Sequence, residues 1–168
     1  MEEKKRIFRR LSLSALDLSF AKKYVNHIIE NELYNQDNKK LINRGLQIAA
    51  IISYSRPFSG NYNFEHTIGR LPDEHLMGLT EKETDLHKEI LDLRNKAIAH
   101  TDADEVDLKV SIKEMNGLKM AMPISRKPFI PFSEQKWKSF KSVIEKVDAS
   151  VSSEIIDYQK EFELGEKF

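Results

Sequence analysis

Apolar residues recur at three- and four-residue steps in the first third of the chain, which predicts two amphipathic helices. The first is expected to open with a serine cap at Ser12 or Ser14. The second is predicted from about Asn38, a cap residue, until shortly before Pro57, which cannot continue a helix. The apolar positions of the first helix are Leu13, Leu16, Phe20, Val25, Ile28 and Ile29.

The same helical period returns twice in the rest of the chain. A third helix is predicted from Thr80, because Thr80-Glu81-Lys82-Glu83 matches a capping box, to around His100. A fourth and longest helix follows Ser133, which can cap it. Its apolar stripe predicts packing in a core or at a dimer seam and comprises Trp137, Phe140, Ile144, Val147, Val151, Ile155, Tyr158 and Phe162.

Between the third and fourth helices the period changes to two, which is typical of strands. Apolar and polar residues alternate over 106–112 and again over 118–122, on either side of Asn116-Gly117. This pattern predicts a β-hairpin at about 106–122. Because an isolated hairpin is only marginally stable, we expect it to lie on the bundle, near His100.

The register of the hairpin depends on its turn. A two-residue turn would set Ile112 opposite Ala121 and mix apolar with polar side chains on each face. A three-residue loop over 115–117, with Gly117 left-handed, would set Ile112 opposite Met120 and keep one face apolar. The hydrophobic pattern therefore predicts the three-residue loop.

Composition narrows the class of protein. The chain has 168 residues, 40% hydrophobic and 32% charged, which predicts a single domain over 1–168. The helical periodicity makes this domain all-α, with the hairpin as an insertion. It has no cysteine, which excludes disulfides and thiolate zinc sites, and no apolar run long enough for a bilayer, so we expect a cytoplasmic protein with no membrane partner. The 27 basic and 27 acidic residues cancel, so any RNA contact must come from a local patch.

One arginine lies where the third helix should bury hydrocarbon. Arg94 falls near the middle of the apolar arc of that helix, and His87 lies on the same arc. A guanidinium cannot lose its proton, so its burial requires a carboxylate, a phosphate or a hydrated interface. One alternative is a structural salt bridge to a carboxylate such as Asp17.

The segment Arg94-Asn95-Lys96-Ala97-Ile98-Ala99-His100, an arginine followed by a polar residue and then a histidine late in a helix, resembles the signature of the HEPN superfamily. The resemblance implies a dimeric four-helix up-down bundle and a metal-independent endoribonuclease without cofactor, of the toxin or antiphage-defence type. It also implies RNA as a partner, and an antitoxin or defence-system protein as another. Arg94, Asn95 and His100 are then the catalytic candidates.

Elementary chemistry is consistent with these roles. Histidine can act as general base or acid near neutral pH, and arginine offers a forked set of donors to phosphate oxygens. On one ideal helix Arg94 and His100 point about 120° apart and are separated by roughly 9 Å of rise, so one copy makes a poor pocket. We therefore expect a composite site across a homodimer.

Further candidates are less specific. Arg56, Lys96 and His87 are candidate phosphate contacts, although His87 is also expected as a hydrogen-bonded core histidine. No metal site is expected, because Glu83 and His87 have no second pair of this kind, and His27, His66 and His75 are predicted at the surface. The alternative function is a non-catalytic HEPN-like module that binds RNA, a nucleotide or a protein. A purely structural dimerisation bundle is a third interpretation.

Overall fold

The computed structural model describes residues 2–59, 69–95, 110–123 and 131–162. These residues form four α-helices and one antiparallel hairpin, which lies in the chain between the third and fourth helices. The predicted class, a helical bundle with an inserted hairpin, is confirmed. The helices are α1 (Glu2–Glu30), α2 (Lys40–Ser55), α3 (Glu81–Leu93) and α4 (Glu134–Gln159), and the strands are β1 (Val110–Met115) and β2 (Leu118–Pro123).

The core lies where α1 packs against α2 and α4, with α3 closing it against the same two helices. The first five positions of the stripe predicted for α4 are fully buried, from Trp137 to Val151. They belong to the core of this chain and not to a dimer seam. None of the helices in the described part of the chain is long and apolar enough to span a bilayer.

The start predicted for the first helix is wrong. α1 begins at Glu2, and Ser14 is a buried residue inside it instead of a cap. The additional turns are stabilised by tertiary contacts, since Leu11 is fully buried and the Phe8 ring packs edge-on against Phe162 at 5.2 Å. Tertiary packing of this kind supplies most of the stability of a helix in a protein.

Part of the predicted apolar face of α1 is exposed. Leu13, Leu16 and Phe20 are 49%, 53% and 40% exposed, and together we call them the α1 stripe. The buried face of α1 is instead made by Leu11, Leu18, Ala21, Val25 and Ile28. The helix therefore has a second apolar face that the described residues leave uncovered.

Of the starts predicted for the other three helices, two are confirmed and one is wrong. The Thr80 hydroxyl accepts a hydrogen bond from the Glu83 amide while the Glu83 carboxylate accepts one from the Thr80 amide, which completes the capping box of α3. Ser133 caps α4 by accepting from the Lys136 amide at 3.3 Å. Asn38 does not cap α2, because it lies in a 3₁₀ turn over Asp37–Lys39 and α2 begins after it without a side-chain cap.

The register predicted for the hairpin is also wrong. Asn116 and Gly117 form a tight two-residue turn with φ of 54° and 78°, and Ile112 pairs with Ala121. The left-handed conformation predicted for Gly117 is confirmed. Side chains over 112–121 are exposed, so the expected packing of this segment on the bundle is wrong as well. Because neither face is buried there, sorting of apolar side chains gains little free energy and the Asn-Gly turn decides the register.

Candidate anion-binding site

A pocket of about 240 Å³ opens between the first half of α1, the segment that follows α2 and the C-terminal end of α3. Three arginines line it, Arg10 from α1, Arg56 after α2 and Arg94 after α3, together with the carboxylate of Asp17. We call this set the arginine pocket. The chain thus brings three cations together from positions that are far apart in the sequence.

Arg94 reaches the pocket because α3 ends beside it. The residue is half-buried at the C-cap of α3, with helical φ and ψ of −60° and −47°, and its Nη1 donates to Oδ1 of Asn95 at 2.9 Å. Asn95 itself is exposed. The Arg94 guanidinium is therefore not buried among the apolar side chains of α3, because the residue lies at the rim of the core and lines the pocket.

Asp17 pairs with Arg56. Its Oδ1 accepts from Nη1 of Arg56 at 3.2 Å, with side-chain exposures of 22% for Asp17 and 60% for Arg56. The salt bridge considered from sequence between Asp17 and Arg94 is not the pair the structure shows. Arg56, which the sequence analysis selected as a candidate phosphate contact, is held at the pocket by this carboxylate.

Arg10 is the functional candidate that sequence reasoning missed. Its Nη1 donates to the carbonyl oxygen of Arg70 at 3.3 Å, and its Nε is buried with no hydrogen-bond partner among the described residues. A signal was present in the sequence: Arg10, Ser14 and Asp17 are spaced by four and three residues, so they share one face of a helix. That face became recognisable only once α1 was known to begin before Ser12.

His87 lies in the core and does not line the pocket. Its Nδ1 is 2.8 Å from the Tyr54 hydroxyl, and its ring packs edge-on against Phe58 at 4.7 Å. Burial lowers the pKa of His87 and raises the pKa of Tyr54, because both charged forms would lose hydration. This placement matches the expectation of a hydrogen-bonded core histidine and gives no support to a phosphate contact.

Two of the sequence candidates cannot be placed. Lys96 and His100 lie outside the described residues, so the geometry of the Arg94 to His100 motif beyond Asn95 remains a prediction. Comparisons of the chain with family models, with curated proteins and with solved structures returned no match.

The arginine pocket has the chemistry of an oxyanion site. Three guanidinium groups face one carboxylate, so positive charge is in excess, and planar guanidinium forks match phosphate oxygens. The volume lies below the roughly 300–1,000 Å³ of sites for drug-sized ligands, which suits a single phosphate better than a whole nucleotide. The described residues that line it include no histidine, so a histidine that transfers a proton would have to come from elsewhere.

Proposed function

We propose that the arginine pocket binds a phosphate of RNA and that the protein is a dimeric, metal-independent endoribonuclease of HEPN type. The observation that carries the proposal is the convergence of Arg10, Arg56 and Arg94 on one pocket, in whose described lining Asp17 is the single carboxylate. Each guanidinium that contacts a phosphate contributes charge-assisted hydrogen bonds, which are roughly twice as strong as neutral ones. A surface with no net charge overall would thereby acquire a local anion site.

Cleavage would proceed by attack of the RNA 2′-hydroxyl on the adjacent phosphorus. A base removes the 2′-hydroxyl proton, the 2′-oxygen bonds to phosphorus, and the bond to the 5′-oxygen breaks as an acid protonates it. His100, six residues after Arg94, is the proposed proton-transfer group. The arginines would stabilise the additional negative charge on the phosphate oxygens. Asn95, whose Oδ1 accepts a hydrogen bond from Nη1 of Arg94, would orient that arginine.

The α1 stripe supports the proposed homodimer. Leu13 belongs to this stripe and also lines the arginine pocket, and Leu16 and Phe20 continue the exposed apolar face along α1. A second copy packed on the stripe would bury these side chains and bring its own residues to the edge of the pocket. This arrangement would supply the composite site that the separation of Arg94 and His100 along one helix requires.

A non-catalytic RNA-binding module is the second candidate. It is favoured by the fact that the described lining of the pocket offers three arginines but no histidine, while His87 lies in the core. The two functions make the same prediction for RNA binding. They differ in whether RNA is cut and whether His100 is required.

The test is a nuclease assay on purified protein with matched RNA and DNA oligonucleotides, with and without chelator. The ribonuclease proposal expects RNA cleavage that persists in chelator, leaves a 2′,3′-cyclic phosphate and spares DNA. His100→Ala and Arg94→Ala should each lower the rate by about 10²–10⁴-fold while the proteins remain folded. RNA that is bound but never cut would establish the binding module instead, and full activity in His100→Ala would refute the role proposed for His100.

A matched pair of arginines on α1 provides the control. Arg10 lines the pocket whereas its neighbour Arg9 is exposed outside it. Arg10→Ala should weaken RNA binding, and Arg9→Ala should have little effect beyond general screening of charge. Equal effects of the two substitutions would show that RNA contacts the basic surface of α1 in general and not the pocket.

A further inference from the structure

His75 is a buried residue, contrary to the surface position predicted for it. It lies in a 3₁₀ turn over Asp73–Leu76 that packs on α4, and it is only 4% exposed. Its Nδ1 is 3.0 Å from the Ser150 hydroxyl, and its Nε2 is 3.0 Å from Oε2 of Glu154. Ser150 and Glu154 are four residues apart on α4, so both ring nitrogens face the same helix.

The contact between His75 and Glu154 has the distance of a hydrogen bond but not its geometry. Nε2 is fully buried and has no hydrogen-bond partner among the described residues, although the carboxylate oxygen is close. A buried polar atom without a partner costs free energy, so its persistence calls for an explanation. If the lone pairs of this nitrogen and this carboxylate oxygen both pointed to the same third atom, the two atoms would lie this close without a hydrogen bond between them.

A third ligand atom lies at the same place. Oxygen atoms of Glu74 and Glu154 and a ring nitrogen of His75 all lie within 4.8 Å of one another. In a tetrahedral zinc site with bonds of about 2.0–2.2 Å, neighbouring ligand atoms are about 3.4 Å apart. Nε2 of His75 and Oε2 of Glu154, at 3.0 Å, are already close to that separation. Glu74 is exposed, so its side chain can move to bring its carboxylate to the same distance.

We propose that Glu74, His75 and Glu154 bind one Zn²⁺ ion, with water completing its coordination. Imidazole and carboxylate are ligands that zinc accepts. His75 would bind through Nε2, which requires the proton on Nδ1, and Nδ1–H would donate to Ser150. Ser150 is thus a positioning residue that sets the tautomer, as partners outside the ligand shell do in zinc sites.

This site is separate from the proposed nuclease chemistry. It shares no residue with the arginine pocket, so it does not depend on whether RNA is cleaved. Because it joins the turn before α3 to α4, a bound ion would stabilise the folded chain by mass action. Its loss in chelator should lower the melting temperature without supplying or removing a catalytic group.

The test is isothermal titration calorimetry of chelator-treated, dialysed protein with zinc chloride at neutral pH, without RNA. Wild-type protein should bind one equivalent, and Glu74→Gln and Glu154→Gln should each weaken binding by at least about tenfold. Glu145→Gln, which removes another partly exposed carboxylate of α4, is the control and should bind as wild type does. Glu74 is exposed, so its substitution also tests the site without threatening the core.

Three results would overturn the proposal. The first is the lack of a one-equivalent binding event in wild-type protein. The second is wild-type affinity in either Glu74→Gln or Glu154→Gln, and the third is an equal loss in Glu145→Gln. Any of them would leave the contact between His75 and Glu154 as one that serves the packing of the turn alone.

Discussion

Replacement of Asp17 by asparagine should strengthen RNA binding, although it breaks an ion pair. Asp17 is the one carboxylate among three arginines in the described lining of the arginine pocket, and its charge opposes an incoming phosphate. Asparagine retains the size and a hydrogen-bond acceptor for Arg56 but removes the negative charge. The substitution therefore separates electrostatics at the pocket from packing.

The expected magnitude follows from the size of the pocket. A volume of about 240 Å³ corresponds to a radius of about 4 Å, so a phosphate at its centre would lie roughly 5 Å from the Asp17 carboxylate. Two unit charges at roughly 5 Å repel by about 1 kcal/mol in water and by about 3 kcal/mol at an effective dielectric constant of about 20. Because the pocket is open to solvent, the lower value applies, which corresponds to roughly fivefold tighter binding.

Loss of the ion pair should not cancel this gain. Arg56 is 60% exposed, and exposed pairs of this kind contribute roughly 0–1 kcal/mol to stability. A destabilisation of at most about 1 kcal/mol lowers the melting temperature of a chain of this size by roughly 2–4 °C. The folded fraction at the temperature of a binding assay is unaffected by such a change.

Fluorescence anisotropy with a labelled 2′-O-methyl RNA is a suitable assay, because this RNA cannot be cut by 2′-hydroxyl attack. The matched control is Asp148→Asn, since Asp148 is 25% exposed and lies near Lys22 at 3.9 Å, away from the pocket. The affinity gain should appear in Asp17→Asn alone and shrink at high salt. If Asp17→Asn binds RNA as wild type does or more weakly, while melting normally, phosphate does not occupy the arginine pocket.

Three further predictions concern stability. Gly117→Val should destabilise the turn by about 1 kcal/mol or more, because a β-branched residue is strained at φ of 78°. Amide exchange over 110–123 should become faster while the global melting temperature stays unchanged. A shift of the global melting temperature would mean that the hairpin packs on the bundle. Tyr54→Phe should cost about 1–3 kcal/mol in chemical denaturation by leaving buried Nδ1 of His87 without its partner, and an unchanged free energy of unfolding would contradict that role. The pKa of Glu83 is lowered to about 2, chiefly by its hydrogen bond from Lys146, so the stability it contributes is present above the ordinary glutamate pKa of 4.5 and is lost as pH falls from there through about 2. Between pH 2 and 5 the melting temperature should therefore change less with pH in Glu83→Gln than in the wild-type protein. An equal change in the two proteins would refute this role of Glu83.

Features governed by local chemistry were predicted well from the sequence. The capping box at Thr80, the serine cap at Ser133 and the end of α2 before Pro57 each depend on residues within a few positions of one another. The positive φ of Gly117 belongs to the same class. Backbone hydrogen bonds and steric restrictions at these points hardly depend on the rest of the fold.

Features governed by tertiary packing were missed. The burial of His75 depends on a turn docking against α4, and the exposure of the α1 stripe depends on which face of α1 the other helices cover. The predicted hairpin register was wrong because it required a buried face, and the side chains over 112–121 are exposed. Arg94 was singled out from the sequence and lines the arginine pocket, but no local pattern could show that Asp17 would pair with Arg56.

Glu83 links the first turn of α3 to α4, since its carboxylate accepts from Ser142 at 2.7 Å and from Lys146 at 2.6 Å as well as from Thr80. Arg94 lies at the opposite end of the same helix, about 16 Å away by helical rise. A tilt of α3 by about 5° about Glu83 would therefore displace Arg94 by roughly 1.4 Å. Errors of about 1 Å in positioning can cost roughly 10²-fold in rate. If the proposed cleavage takes place, a substitution at Lys146, which is not among the described residues that line the arginine pocket, should slow single-turnover cleavage by shifting Arg94 from the other end of α3.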